Sequence, residues 1–577
     1  MDLSGKPFYL DEEQTEWVKT TFAGMTTEEK LQQLFIEMTR SMDEDYLVQA
    51  VRTQKFGGVR YNNASPEKVR EHNRILQENT KIPLIIACNT EAGGNGACFG
   101  GTEVGQQVKI GAAGDEKYAY LLGKISGIES RAVGCNCCFA PITDINRNWR
   151  NPIISLRSFG SDADLVLRLS REYMRGFRES GGLCIMKHFP GDGVDERDQH
   201  LSSSVNSLSV EEWMRTFGKV YRGMIESGVH GVMAGHIMFP AWQRAHGEAL
   251  LPATLSRCLI TGLLRKELGF NGLIVTDASH MVGLTSAMKR SDILPHAIAA
   301  GCDMFLFTND YEEDMGYMRR GYERGVITPE RLEEAVTRIL AFKACLNLHR
   351  LPADKRVPSA EELSNVGCAE HRAAAAEVSE KAITLVKEEP GVLPVTPEKY
   401  RRILLVRQES ENPFAAFAPR RETPFERLQK LLEARGFEVT IYESMMESVK
   451  KLPPQEAMAK VYNVYGNKTP VSAITDRYDL ILQVAHVIDH GTVQRISWQL
   501  SKGTPDIPWY VHELPVIFVS LSCPFHLADV PQVKTYINCY DKKDDTLEAL
   551  VEKLTGGSPF TGISTVDPFC GLPDTRL

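Results

Sequence analysis

A chain of 577 residues is longer than one hydrophobic core supports, so two or three domains are expected. With 43% hydrophobic and 24% charged residues it reads as globular rather than disordered. The formal charge of −9, from 66 basic and 75 acidic residues, leaves no basic excess to neutralise phosphates and argues against nucleic acid as a partner.

The first residues, from Met1 to Gln14, lack the apolar core of a signal peptide. No apolar run reaches the length of a membrane span. A cytoplasmic protein is the expectation, unless a leader has been removed. The thirteen cysteines are an odd number, and several (Cys88, Cys135, Cys137, Cys138, Cys184) lie in apolar, strand-like runs. That pattern suits reduced, buried thiols better than a disulfide framework. Cys135-Asn-Cys-Cys138 could suggest a metal. Neighbours on a strand alternate faces, however, and no second Cys/His pair closes a tetrahedron, so core packing is the reading.

Residues 11–22 are charged and helix-like, and Thr26 or Thr27 can cap a second helix with acids in its first turn. Strand-like runs then recur at 34–37, 58–61, 83–88, 135–141, 183–187, 229–236, 272–277 and 303–308. Amphipathic segments at 66–79, 115–132, 161–180, 210–227, 255–268 and 289–300 separate them. Alternating helices with continuously apolar strands predict a parallel sheet, and eight such units predict a (β/α)8 TIM barrel. A doubly wound open sheet is the competitor, but no GxGxxG follows the first strand. Residues 329–346 read as the last barrel helix. The expected organisation is a catalytic barrel over 1–350, a helical linker over 351–390 and an α/β domain over 391–577. In the last, strands at 402–406, 438–442, 480–484, 515–521 and 534–539, with helices at 424–435 and 544–555, read as a three-layer α/β/α sandwich.

A barrel places catalytic residues just past the C-terminal ends of its strands. Asn89, Glu91, Asp144, Arg157, Lys187, His188, His236 and Asp277 fall there. Asp277 closes an apolar run, where an unused carboxylate is costly; a helix N-cap is the plain alternative to a nucleophile. Lys187 can pair with a structural carboxylate, and His188 can be a satisfied core histidine. In Asp198-Gln-His200, extended backbone would turn both ends to one side, so that Asp198 orients His200 and raises its basicity. The plain alternative is a solvated acidic loop. Asp192, Asp195, Glu196 and Arg197 read as mostly solvated.

Taken together, Lys187-His-Phe-Pro-Gly and Asp198-Gln-His200 resemble the signature of family 3 glycoside hydrolases, and within them the bacterial β-N-acetylglucosaminidases. The pattern there is Lys-His-Phe-Pro-Gly-His-Gly, then Asp-Ser-His. Arg157-Ser-Phe-Gly-Ser-Asp162, Met233-Ala-Gly-His-Ile-Met-Phe-Pro240, Val275-Thr-Asp277 with Met281, and Gly557-Ser-Pro-Phe-Thr-Gly562 are similar to further blocks of that branch. The resemblance implies a retaining exo-β-N-acetylhexosaminidase. Asp277 would be the nucleophile, and His200 oriented by Asp198 the acid/base in place of the usual second carboxylate. Asn89, Glu91, Arg157, Lys187, His188 and His236 would bind sugar, the Arg fork and Lys charge suiting that task. No metal or organic cofactor is implied; the partner is a carbohydrate.

Two departures from the pattern matter. The Asp-x-Glu-Gly-Gly block reads Asn89-Thr-Glu-Ala-Gly93, and the second loop His is Asp192. Asn donates and accepts but carries no charge, which bears on the preferred sugar. Phosphorolysis is an alternative, since a neutral His repels phosphate less than a carboxylate would. So are a β-glucosidase with its acid/base on the second domain, against which Asp198-Gln-His200 speaks, and an inactive sugar-binding protein. On the loop reading, the segment carrying His200 closes to bring the proton donor within reach.

Overall fold

The computed structural model describes residues 1–410, 421–465, 470–488, 494–498 and 504–577. Chain contacts divide it into two compact units, Met1–Gln107 with Asp115–Ala375, and Val108–Gly114 with Ala376–Leu577.

The first unit is the expected barrel. Its parallel strands are β1 (Phe35–Met38), β2 (Gly58–Arg60), β3 (Ile85–Cys88), β4 (Cys137–Cys138), β5 (Leu183–Phe189), β6 (Gly231–Ala234), β7 (Leu273–Ala278) and β8 (Met304–Leu306). They close in sequential order, β1 pairing with both β2 and β8. Each strand centres on apolar residues because helices cover it, and β5 is buried at every position. Helices Pro66–Glu78, Glu116–Ala132, Ala163–Arg178 and Pro329–Cys345 start where the side chains of Ser65, Asp115, Asp162 and Thr328 accept amides of the first turn.

Three local differences have physical causes. The run 135–141 contributes only Cys137–Cys138 to the ladder. Before it, the Asn136 side chain takes the Ile86 N–H (2.9 Å) and donates to the Leu84 carbonyl (2.9 Å); after it, Pro141 has no N–H to give. The helical stretch 210–227 breaks at Thr216, whose φ −115° and ψ −91° are not helical. The helix Cys258–Glu267 is widened, its end closed by a bond from the Leu268 N–H to the Leu263 carbonyl five residues back.

Asp303, wholly buried just before β8, binds Arg265 (2.6 Å), Arg331 (2.7 Å) and the Ile274 N–H (2.9 Å). Burial alone would raise its carboxyl; the guanidinium charges of Arg265, Arg338 and Arg331 hold it below its ordinary value. The cluster sits at the N-terminal end of β8, the end opposite to the residues of chemical interest.

The second unit contains, among the described residues, a six-stranded sheet. Its strands are β9 (Thr384–Lys387), β10 (Arg402–Glu409), β11 (Glu438–Ile441), β12 (Leu480–His486), β13 (Val516–Ser520) and β14 (Thr535–Asn538), in the order β9-β14-β13-β12-β10-β11. All neighbours are parallel except β9 and β14. Alternate residues face two cores. Ile403, Leu405 and Leu482 pack towards helices Pro424–Glu433 and Asp544–Leu554, and Leu404, Val406 and Ile481 pack towards Tyr510, Leu527 and Val530. This is a three-layer sandwich. Within 351–390, expected as a helical connection, helix Ala369–Ala382 covers the alanine run and β9 follows it at the sheet edge. Lys109 is buried in this unit on Asp541 (2.6 Å), Ser379 (2.8 Å) and Thr546 (2.8 Å). Among the described residues no helix is long and apolar enough to cross a membrane.

Candidate active site

The C-terminal end of the barrel gathers charged side chains that the strands alone would not tolerate. Lys187 and His188 are still on β5, and both are buried. Glu91, three residues past β3, is the hub beside them. It accepts from both arms of the Arg157 guanidinium (2.9 and 2.9 Å) and from Lys187 Nζ (2.6 Å). Burial would raise the Glu91 carboxyl, but the Arg157 and Lys187 charges hold it well below the usual carboxylate range. Two cations expected to meet sugar hydroxyls are therefore also fixed by one carboxylate, which sets their direction before a ligand arrives. Asn89 is exposed, and its backbone N–H donates to the Gly96 carbonyl (3.3 Å). A Cβ on Gly96 would lie 1.8 Å from the Asn89 carbonyl oxygen, so this close turn requires glycine.

Beside this turn, packed against Gly94, stands a residue the sequence did not single out. Glu129, fully buried, accepts from the Thr102 N–H (2.7 Å), Thr102 Oγ1 (2.6 Å), the Gly367 N–H (3.1 Å) and His371 Nδ1 (2.7 Å).

His188 is oriented by Asp144. The wholly buried Asp144 carboxylate accepts the His188 Nδ1–H (2.7 Å) and the His188 and Asp192 backbone N–H groups (3.2 and 2.7 Å). That leaves His188 Nε2 facing Asp277 Oδ2 at 3.9 Å. Asp277 stands near the end of β7, and its Oδ1 accepts the Ala278 N–H (2.7 Å). It caps no helix: the next one, Val282–Thr285, begins after Met281. Burial pushes the Asp277 carboxyl up, but His188, His236 and Lys187 together bring it below its ordinary value, so it is a carboxylate at neutral pH.

His236 follows β6, and both ring nitrogens are occupied. Nε2 donates to the Ala278 carbonyl (3.0 Å), and Nδ1 meets Thr254 Oγ1 (2.8 Å). Burial lowers its basicity. It steadies the end of β7 and has no nitrogen left for a sugar hydroxyl.

Asp198 and His200 meet as expected, Nδ1 donating to Asp198 Oδ1 at 2.6 Å, but not through extended backbone. The chain turns here. The Leu201 and Ser202 N–H groups return to the Asp198 carbonyl (3.0 and 2.9 Å), and the His200 N–H binds Asp198 Oδ1 (2.8 Å). Asp198 is buried while His200 is half exposed. The hydrogen bond to Asp198 raises the imidazole above its ordinary value, and the Asp277 charge adds to this. The raised basicity favours the protonated ring, whose second nitrogen then carries the remaining N–H.

One residue taken as solvated is not. Asp192 is buried. Its Oδ1 accepts from Asn151 Nδ2 (2.8 Å) and the Gly193 N–H (2.7 Å), and its Oδ2 from Gln199 Nε2 (3.2 Å). Burial and the nearby Asp144 raise its carboxyl to about 6. A run of acidic letters gives no sign that one of them turns inward.

A parallel barrel that gathers buried carboxylates, histidines and paired cations at its C-terminal end is the layout of a barrel enzyme acting on a polar substrate. Residues 26–342 match the Glycosyl hydrolase family 3 N terminal domain, and the chain belongs to that family. It is 43% identical to a β-N-acetylglucosaminidase/β-glucosidase of Cellulomonas fimi over the whole of both chains. It is 30% identical to β-hexosaminidase A of Pseudoalteromonas piscicida over 55% of this chain and 56% of that one. Among solved structures it is similar to β-glucoside phosphorylase BglX (TM-score 0.88, 38% identity, 100% of this chain and 99% of that one). A family 3 β-N-acetylglucosaminidase from Paenibacillus sp. is also similar (TM-score 0.75, 28% identity, 94% and 99%).

Proposed function

We propose that the chain cleaves terminal β-linked N-acetylglucosaminides and glucosides with retention of configuration. The carrying observation is the 2.6 Å pair of His200 and Asp198, at the same end of the barrel as the ionised Asp277 carboxylate. Asp277 attacks the anomeric carbon as the glycosidic C–O bond breaks, and His200 Nε2–H protonates the departing oxygen. The resulting ester of Asp277 is opened by water, whose proton returns to His200. Asp198 keeps the charge on the ring paired throughout. Glu91, by fixing Arg157 and Lys187, holds the donors that grip the sugar. The Cellulomonas relative supports both sugars, and uncharged Asn89 suits a site that does not insist on one.

Phosphorolysis is the second reading, favoured by the full-length likeness to BglX. Once His200 has given up its proton it is neutral, so an incoming phosphate meets no opposing charge there. A phosphate oxygen would then attack the anomeric carbon and release Asp277, giving the sugar 1-phosphate. Timed reactions of aryl β-glucosides and aryl β-N-acetylglucosaminides, with and without inorganic phosphate, separate the two. Hydrolysis gives free sugar at a rate indifferent to phosphate. Accumulation of sugar 1-phosphate with a phosphate-dependent rate would replace water by phosphate as the acceptor.

A further inference from the structure

Two residues of the 187–200 loop differ from the glycosidase pattern, and they touch. Asp192 stands where the pattern has His, and Gln199 where it has Ser. Gln199 Nε2 donates to Asp192 Oδ2 (3.2 Å). Gln199 lies between the members of the acid/base pair and is completely buried. Its Oε1 accepts the His236 N–H (2.9 Å), and its carbonyl accepts the Gly283 N–H (3.0 Å). The His200 carbonyl accepts the Val282 N–H (3.0 Å). Asp192 in turn is held by Asn151 and by the Gly193 N–H. The turn that carries His200 is thus tied to the segments following β4, β5, β6 and β7.

We infer that Asp192 and Gln199 act as one positioning pair, which holds the His200 turn at its working place before substrate enters. This rests on the assignment of His200 as acid/base. The pair works by donor–acceptor matching: a buried carboxylate faces an amide N–H2, and the amide oxygen faces a backbone N–H. Gln199 cannot flip, because its N–H2 would then meet the His236 N–H.

The matching makes a swap test. In Asp192→Asn the new amide must keep its oxygen towards Asn151, so its N–H2 opposes that of Gln199. In Gln199→Glu two carboxylates face each other in a buried space. Combining the two substitutions reverses the direction of the bond. The amide at position 192 then donates to the carboxylate at position 199, whose other oxygen still accepts the His236 N–H, and every group is satisfied.

The readout is kcat/KM, which reports the first step alone, on an aryl β-glycoside with a poor leaving group, which needs the proton, against a dinitrophenyl glycoside, which does not. Each single variant is expected to lose roughly 10- to 100-fold on the first and little on the second, the scale of a misplaced catalytic group. The double variant is expected to recover most of that loss. Equal losses on both substrates, or a double variant no better than the worse single one, would overturn the inference. If the charged variants do not fold, Gln199→Met keeps the volume, removes both bonds and carries the same expectation. His200→Ala is the control. If it shows no leaving-group dependence, the acid/base assignment fails. If it does, and the Gln199 and Asp192 variants show none, the positioning pair alone fails.

Discussion

Asp277→Ala is expected to lower kcat/KM on an aryl β-glycoside by about 10⁵-fold or more, the scale seen when a covalent nucleophile is removed from a site whose groups act as a unit. Asp277 is the carboxylate that faces His188 Nε2 across 3.9 Å with its charge maintained against burial. Without it the anomeric carbon has no partner on that face, and water would have to attack through a space built for a carboxylate. Added azide, small enough to enter that space, is expected to restore turnover and release a glycosyl azide of opposite anomeric configuration. Substrate binding through Arg157 and Lys187 persists, because Glu91 rather than Asp277 fixes them. The loss therefore falls on kcat rather than on KM.

His200→Ala carries the second large effect, and its size depends on the leaving group. With a poor leaving group the first step loses its proton donor, and kcat falls by roughly 10²- to 10⁴-fold. With a dinitrophenolate the first step needs no proton, and the opening of the ester, which has lost its base, becomes limiting. The pH profile has a matching sign. Asp198 raises the His200 imidazole above 6.5, so the acid form persists to higher pH than in a free imidazole and activity is lost as pH rises through that raised value. On the acid side activity is lost as Asp277 protonates, below 3.8. His200→Ala removes the alkaline limb and leaves the acid one. Asp198→Asn moves the alkaline limb down towards the ordinary imidazole value. Rates are measured on both substrates across pH; an unchanged alkaline limb in His200→Ala would assign the proton transfer to another group.

The barrel was legible because a parallel sheet covered by helices needs strands apolar on both faces, and β5 and β7 begin with the apolar runs 183–186 and 273–275 while β8 is apolar throughout. Strand ends were less legible. Asn136 replaces ladder bonds with side-chain ones, so the run around β4 looks longer than the strand it makes. β9 is short and lies between an alanine-rich helix and the Glu389-Pro-Gly turn, which hides it.

At the site, residues adjacent in sequence were easier to pair than residues brought together by the fold. Asp198 and His200 could be matched from spacing, although a turn rather than an extended loop joins them. Glu91 gripping Arg157 and Lys187 needs three strand ends in register, which spacing does not reveal. Asp192 and Gln199 are hidden for another reason. Whether an acid in an acidic loop faces water or the barrel depends on the partners waiting for it, here Asn151 and the Gly193 N–H.

The most direct test of the account is to trap the intermediate. The unmutated chain is treated with a dinitrophenyl 2-deoxy-2-fluoro-β-glycoside, in which the fluorine slows both steps and the good leaving group preserves the first. Peptides of the inactivated protein are then sequenced by mass spectrometry. One fluoroglycosyl group is expected, carried on Asp277 in the peptide that spans β7. A label on another residue, or full turnover of natural-type substrates with no label on Asp277, would contradict it.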